Sequence, residues 1–186
     1  MRHLAKLALV LTIALAGCDV PETAATGGKP LPKLYRINAS ETATIQYRML
    51  DSVNSLRSAA GLGEVSQNSA LNAAAATHSR DMALQNRPWH FGSDGSSPLD
   101  RVSRVGYQGL FLAENISETY ETELETLSAW MSQPDTRDVI MDARADQMGF
   151  AWHQEASGKI WWTLIFGQAK TSGDAALDDL LGLSES

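Results

Sequence analysis

Cysteine is almost absent from this chain, because Cys18 is the only one among its 186 residues. A disulfide bond within the chain is therefore excluded. Small exported domains often rely on disulfides, so a hydrophobic core and hydrogen bonds must supply the stability of this one.

Basic residues are also in the minority. The chain has 15 Lys and Arg against 22 Asp and Glu, and its formal net charge is −7. An acidic surface repels phosphate groups, which disfavours nucleic acid and anionic lipid headgroups as partners. We therefore expect no nucleic-acid partner.

A hydrophobic run long enough to span a bilayer is missing as well. The apolar run near the N-terminus, Leu7 to Ala16, has ten residues, whereas a transmembrane helix needs about 20. Because Arg2 and Lys6 precede this run, the segment is typical of a secretory signal peptide. We predict that residues 1–17 are a signal peptide and that the chain is exported. Its removal makes the net charge more negative by two.

The end of this segment resembles the lipobox of bacterial lipoproteins. Leu15-Ala16-Gly17 precede Cys18, and in a lipobox the cysteine carries fatty acyl chains such as palmitate. Each buried methylene contributes about 0.8 kcal/mol, so two or three chains hold a protein on a membrane durably. We predict lipidation at Cys18 and a domain that faces the periplasm or the cell exterior. An ordinary secretory signal with a chance cysteine is the alternative.

Three regions follow the predicted signal peptide. Residues 18–37 contain Pro21, Pro30, Pro32 and Gly27-Gly28 and little apolar periodicity, which predicts a lipidated tether with a reach of roughly 25 Å. Residues 38–170 form one domain-sized block with no internal repeat. Residues 171–186 are an acidic tail, which we expect to be either a short docked helix or a disordered end.

The domain block alternates helical and strand patterns. Apolar spacing and capping residues predict four helices: one from Asn38 or Ser40 to Gly61, one near 68–86, one from Ser97 to Gly106, and one near 121–132. Aromatic and β-branched residues predict strands at 110–116, 148–153 and 160–166, the last two joined by a hairpin loop. We predict an α+β fold, a three-layer αβα sandwich with a small, mainly antiparallel sheet flanked by helices.

An ordered set of motifs from about Ile45 to Gly167 gives the chain a family resemblance. The motifs are Asn54–Arg57 with Gly61-Leu62, His78–Ala83, His90–Arg101 with Gly106-Tyr107, Glu114–Ile116, Trp130–Pro134, Gly149, and Trp162–Phe166. With these motifs the chain resembles the CAP superfamily, also called SCP-like, and its bacterial branch in particular. The superfamily includes cysteine-rich secretory proteins, venom allergens and plant pathogenesis-related proteins. The resemblance implies an αβα sandwich whose cleft gathers histidines and acids and sometimes binds zinc or another divalent cation.

The resemblance also identifies candidate cleft residues. By motif position, His90 and Glu114 are the retained ones. Thr136 stands where the family usually has a second histidine, and Gln147 stands where bacterial members usually have an acid. The implied cleft is therefore degenerate.

These replacements weaken the expectation of a metal. A catalytic zinc site usually has three protein ligands, and His90 with Glu114 supplies one imidazole and one carboxylate. Asp135 or His153 could complete the set, and oxygen donors could hold calcium weakly. We expect no cofactor, and leave a weak zinc or calcium site open.

Two roles stay open for the tentative catalytic pair. His90 and Glu114 could act as a general acid and base, since imidazole titrates near neutrality. They could equally hydrogen-bond across a loop and hold the cleft shut. We expect His78 to be a hydrogen-bonded packing histidine. Trp161 and Trp162 are adjacent, so their side chains must point to opposite faces of a strand, and one of them could be exposed.

The sequence supports three hypotheses on function. The first is a membrane-anchored binding module that presents its cleft to an unknown ligand or protein of the cell envelope. The second is a hydrolase that acts on peptide or envelope material through His90 and Glu114, with or without a metal. The third is a spacer on a tether, which has no specific ligand.

Overall fold

The computed structural model describes residues 34–119 and 121–170. The predicted signal peptide, Cys18, most of the predicted tether and the acidic tail lie outside these residues, so those predictions stay predictions. Within the described residues, the structure contains five α-helices and a four-stranded sheet.

The helices begin at residues that can cap them. A 3-10 turn at Ala39–Glu41 leads into α1, which spans Thr42–Ala59. Asn68 caps α2, Ser69–Gln85, by accepting hydrogen bonds from two backbone N–H groups of its first turn. Capping boxes open α3, Pro98–Arg104, and α4, Glu123–Ser132. These caps satisfy N–H groups that have no partner inside the helix. A fifth helix, α5, spans Pro134–Ile140 and starts with a proline at its first position.

The sheet is mixed, with the strand order β1-β3-β4-β2. The strands span Ser66–Gln67 for β1, Leu110–Thr119 for β2, Gln147–Gln154 for β3 and Ile160–Gln168 for β4. The two long pairings, β3 with β4 and β4 with β2, are antiparallel, and only the two-residue β1 runs parallel to its neighbour β3. Because β4 lies between β3 and β2, all but one of its residues are buried.

Helices cover both faces of this sheet. On one face, α2 and α3 bury a cluster that includes Leu71, Ala75 and Val102 against Ile165 of β4. On the other face, a larger cluster joins α1, α4 and α5 to the sheet side chains Met148, Phe150, Trp162, Leu164 and Phe166. The prediction of a three-layer αβα sandwich with a mainly antiparallel sheet is confirmed.

Close approach of α2 to the sheet requires small residues on both sides. A Cβ atom added to Gly149 of β3 would lie 2.2 Å from the backbone carbonyl carbon of Leu71 and 2.5 Å from the backbone nitrogen of Asn72. The side-chain amide of Asn72 also accepts a hydrogen bond from the Phe150 N–H. The alanine-rich middle of α2 and Gly149 therefore let the helix backbone lie directly on β3.

The segment before α1 packs against the domain. The Tyr35 hydroxyl donates to Glu123 at 3.0 Å, and Arg36 donates to the backbone carbonyls of Glu155 and Ala156 in the β3–β4 turn. The compact unit accordingly begins at Leu34, four residues before the predicted boundary at Asn38. Polar contacts to residues far away in the chain hold this segment in place. The proline-rich local sequence does not indicate such contacts, so the predicted boundary lay too late in the chain.

Two features of the fold differ from the sequence-based expectations. The helix α5 and the strand β1 were not predicted, because seven and two residues are too short to show a clear hydrophobic period. Trp161 and Trp162 do point to opposite faces, but both are fully buried. Trp161 is covered because its indole N–H donates to Glu155 and Lys159 lies over its ring.

Candidate functional site

A buried carboxylate lies at the centre of the candidate site. Glu114 is on β2, opposite Ile165 of β4, and its side chain has no solvent exposure. Its Oε1 accepts a hydrogen bond from Arg101 at 2.7 Å and lies 2.9 Å from the Nδ1 of His90. The structure therefore brings the predicted pair His90 and Glu114 into direct contact.

Arg101 was not among the predicted site residues, yet it organises the site. It lies on α3, and its side chain is about 5% exposed. One guanidinium nitrogen binds Glu114, and the other donates to the backbone carbonyls of His90 at 2.8 Å and Ser96 at 3.3 Å. Arg101 thus neutralises the buried carboxylate and fixes the loop that carries His90. Its match to the family motif was visible in sequence, but its role depends on the packing of α3.

The loop between α2 and α3 is itself tightly bonded. Asp81 of α2 accepts hydrogen bonds from the backbone N–H and the hydroxyl of Ser93, at 2.7 and 2.6 Å. Asp94 accepts from the Ser96 N–H, and Gly95 adopts a positive φ of 81° that favours glycine. These bonds hold the loop against α2 and leave the His90 side chain about half exposed, at 51%.

His78 lies on the inner side of the same cluster. Its Nε2 is 3.6 Å from the Oε1 of Glu114, beyond ordinary hydrogen-bond distance. Within the described residues neither ring nitrogen has a hydrogen-bond partner with ordinary geometry. The predicted burial is confirmed, but the predicted hydrogen bond of this packing histidine is not found with ordinary geometry among the described residues. His78 lies beside Glu114 and belongs to the cleft cluster. Burial lowers the pKa of this histidine, although the nearby Glu114 acts in the opposite direction. The fold therefore favours the neutral form of His78.

Thr136 and Gln147, the two replaced positions, are bonded to other parts of the fold. The Thr136 hydroxyl donates to the backbone carbonyl of Trp130 at 2.6 Å, and the Thr136 carbonyl accepts from the side-chain amide of Asn115. The side-chain oxygen of Gln147 accepts from the Tyr107 hydroxyl at 2.8 Å. The side-chain oxygens of both residues therefore bond to other parts of the fold rather than serve as metal ligands in the cleft.

The donors that are present do not fit a metal ion. The Nδ1 of His90 and the Oε1 of Glu114 are bonded to each other, and Arg101 places a positive charge against the same carboxylate. Within residues 34–119 and 121–170, no group of three His, Cys, Asp or Glu residues is arranged to hold a metal. Asp135 lies in the first turn of α5 and His153 on β3 opposite Trp161. Neither residue completes a metal site of this kind.

The cluster is suited to presenting a polar group to a bound molecule. When the neutral His90 ring donates its Nδ1–H to Glu114, its Nε2 becomes an acceptor on a half-exposed side chain. Glu114 keeps a second oxygen, Oε2, that is buried and has no partner in the described residues. The site can therefore orient one imidazole toward a bound molecule.

Comparison with protein families agrees with this architecture. The family model described as the cysteine-rich secretory protein family, CAP, matches residues 50–166. The chain belongs to this family. The match covers α2 to α5, strands β1 to β3 and most of β4, and it includes His78, His90, Arg101 and Glu114.

Solved structures of bacterial CAP proteins share the fold. An outer surface protein of Borrelia burgdorferi superposes with a TM-score of 0.60 and 17% identity, over 73% of this chain and 98% of that one. An extracellular SCP-domain protein of Bacillus anthracis gives a TM-score of 0.64 and 17% identity, over 72% of this chain and 45% of that one. A cysteine-rich secretory protein of Staphylococcus aureus gives 0.59 and 16%, over 72% and 41%. This CAP domain thus spans under half the length of the last two proteins.

No curated protein matches this chain in sequence. Among residues 34–119 and 121–170, no helix combines the length and the apolar character needed to cross a bilayer.

Proposed function

We propose that this CAP protein is an exported lipoprotein whose domain binds a ligand or partner in the cell envelope. The signal-peptide pattern and the lipobox at Cys18 support export and lipid anchoring. The names of the three bacterial structural relatives, which describe an outer surface, an extracellular and a secretory protein, support an extracytoplasmic location.

The observation that carries the binding role is the engagement of the replaced cleft positions. The Thr136 hydroxyl and the Gln147 amide oxygen are bonded to Trp130 and Tyr107. A metal-dependent catalyst needs side chains at these positions that are free to coordinate the metal. A binding cleft has no such requirement, so its side chains there can bond to the rest of the fold. The half-exposed imidazole of His90 then serves as a polar contact for the bound molecule.

A hydrolase acting on peptide or envelope material is the second candidate. The 2.9 Å contact between His90 and Glu114 favours it, because a carboxylate that orients an imidazole is a common general-base arrangement. Among the described residues, the only hydrogen-bond partner of the His90 ring is Glu114. No side chain that could act as a nucleophile is bonded to this ring in the part of the chain that the structure describes. The hydrolase hypothesis therefore requires a water molecule or a group of the substrate to act as the nucleophile.

A metal titration separates the two candidates. Zinc and calcium are titrated by calorimetry into the acyl-free mature chain and into His90→Ala and Glu114→Gln. The binding module predicts no saturable heat with either metal in a folded sample. Saturable binding that both substitutions abolish would contradict the absence of a metal site and favour the metal-assisted hydrolase.

A turnover measurement completes this test. Peptide pools and envelope material are incubated with the wild type, His90→Ala and the matched control His153→Ala, which alters a histidine outside the cluster. The binding module predicts no turnover above background. Turnover that is lost in His90→Ala and kept in His153→Ala would establish the hydrolase.

Anchoring is tested separately by mass spectrometry of the membrane fraction. We expect a mature chain that begins at an acylated Cys18, and a Cys18→Ala variant that stays unprocessed and carries no acyl group. A processed, water-soluble chain with an unmodified Cys18 would show an ordinary secretory signal.

A further inference from the structure

A cavity of about 410 Å³ lies between α2 and α3, next to the loop that joins these helices and carries His90. The C-terminal half of α2, the loop to α3, and α3 itself form its walls. Its volume falls within the range of small-molecule pockets. The cavity shares one residue, Arg101, with the Glu114 cluster, and its remaining lining is separate from that cluster.

The acids that line this cavity are already engaged. Asp81 accepts two hydrogen bonds from Ser93 and one from Gln85. Asp94 accepts from Ser96 and forms an ion pair with Arg104 at 2.5 Å. The hydrogen bond from Ser96 and the ion pair with Arg104 hold the pKa of Asp94 well below its usual range. Both acids are thus bonded to neighbouring residues of the cavity wall.

Two of the three arginines of the lining, Arg80 and Arg101, are less fully engaged than Arg104, which pairs with Asp94. Arg80 is exposed on α2 and makes no hydrogen bond or ion pair with the described residues. Arg101 is almost fully buried, and its Nε has no hydrogen-bond partner among them. A buried N–H without a partner is destabilising unless something outside the described protein atoms accepts from it. The exposed Arg80 guanidinium therefore offers the unused donors of the cavity, and neither of its acids is unused.

An apolar wall faces the same space. Leu84 lines the cavity with 84% of its surface exposed, the largest value among the large hydrophobic residues that the structure describes. Val105 and Thr77 also line the cavity. Water-exposed apolar surface at the mouth of a cavity is stabilised when a ligand covers it.

We propose that this cavity binds a compact apolar group that carries a single carboxylate. The carboxylate pairs with Arg80 and the apolar group covers Leu84. The charge of the ligand is limited to one because Asp81 and Asp94 repel a second negative group. This inference goes beyond the proposed cleft function, because it assigns a second binding site and its ligand class at a cavity that His90 does not line.

The probe is N-acetyl-leucine, with N-acetyl-leucinamide as its neutral counterpart. Both are titrated into the acyl-free mature chain and followed by NMR shift changes at low ionic strength, where exposed ion pairs are least screened. We expect the acid to bind about fivefold more tightly than the amide, as befits one exposed ion pair.

Variants separate the two parts of the site. We expect Arg80→Gln to remove the difference between acid and amide, while Arg137→Gln, which changes an exposed arginine outside the cavity, keeps it. We expect Leu84→Ser to weaken acid and amide by the same factor, while the matched control Leu110→Ser leaves both unchanged. Because all four positions are exposed, these variants test the site without disrupting the core.

A peptide that ends in a free leucine carboxylate identifies the source of the ligand. Binding of the peptide and of the free acid would assign the cavity to peptide C-termini, and binding of the free acid alone would assign it to small carboxylates. Equal affinities for acid and amide, an unaltered preference in Arg80→Gln, or no shifts with about 10 mM probe would overturn the proposal. None of those results would alter the metal and turnover tests of the proposed function.

Discussion

The buried pair of Arg101 and Glu114 yields the sharpest prediction about the site. Substituting Glu114 with Gln removes the negative charge and preserves the size of the side chain. The Arg101 guanidinium, whose nearest charged partner is Glu114 at 2.7 Å, is then left buried with an uncompensated charge. We therefore expect a large loss of stability from a change of one atom type.

The expected magnitude follows from the burial of both partners. Breaking a buried ion pair by removing one member destabilises a protein by about 3–5 kcal/mol. The glutamine oxygen still accepts one hydrogen bond, so we expect the lower end, about 3 kcal/mol. For a protein of this size, 1 kcal/mol corresponds to roughly 2–4 °C in Tm, which predicts a decrease of about 6–12 °C.

Urea denaturation of the acyl-free mature chain measures this loss. The matched control is Glu118→Gln on the same strand, because Glu118 pairs with Lys159 near the surface. Such a pair contributes about 0–1 kcal/mol. The double variant Glu114→Gln with Arg101→Met tests the cause, since it removes both charges. We expect it to be less destabilised than the sum of the two single variants by about 2 kcal/mol.

Two results would refute this reasoning. If Glu114→Gln is destabilised no more than Glu118→Gln, the guanidinium does not depend on the carboxylate charge. If the single variants add without coupling, Arg101 acts only through the carbonyls of His90 and Ser96, to which it also donates.

Three further predictions concern the scaffold and the buried histidine. Gly149→Ala should destabilise by more than about 3 kcal/mol, because its methyl group meets the backbone of α2; a loss below 1 kcal/mol would show that α2 can move away. Arg57→Lys should lose about 3 kcal/mol in urea, because the fully buried guanidinium donates to four backbone carbonyls that one ammonium cannot reach together; near-wild-type stability would contradict that role. Burial lowers the pKa of His78, so its contribution is present above the unfolded value of 6.5 and is lost as pH falls. Stability should fall between pH 7.5 and 5.5 by up to about 1.4 kcal/mol per pH unit, and less steeply in His78→Leu; equal slopes would exclude this proton uptake.

Local signals in the sequence predicted much of the fold. Caps at Asn68 and Ser97 and the helical spacing of Ile45, Met49 and Val53 are properties of neighbouring residues, and the structure confirms the helices that they indicate. Helix α5 and strand β1 escaped prediction because seven and two residues are too short to show a clear hydrophobic period. The burial of Trp161 escaped it because the covering groups, Glu155 and Lys159, come from the turn between β3 and β4.

Motif positions predicted part of the candidate site. His90 and Glu114 were identified in this way, and the structure places them in contact. The position of His78 beside Glu114 was not predicted, because an apolar helical face is equally compatible with a packing histidine. Nor does the sequence show that Arg101 neutralises Glu114, because that contact joins α3 to the middle of β2.

The sequence by itself determined the family, the absence of a disulfide and the expectation of an N-terminal lipid anchor, since these depend on residue types and short-range order. Only the tertiary structure decided which side chains of the site contact one another. It placed one carboxylate between His90 and Arg101, engaged Thr136 and Gln147 in the scaffold, and left Arg80 and Leu84 uncovered at a cavity. These outcomes depend on contacts between residues far apart in the chain, whose distances are set by the packing of helices on the sheet rather than by any local pattern.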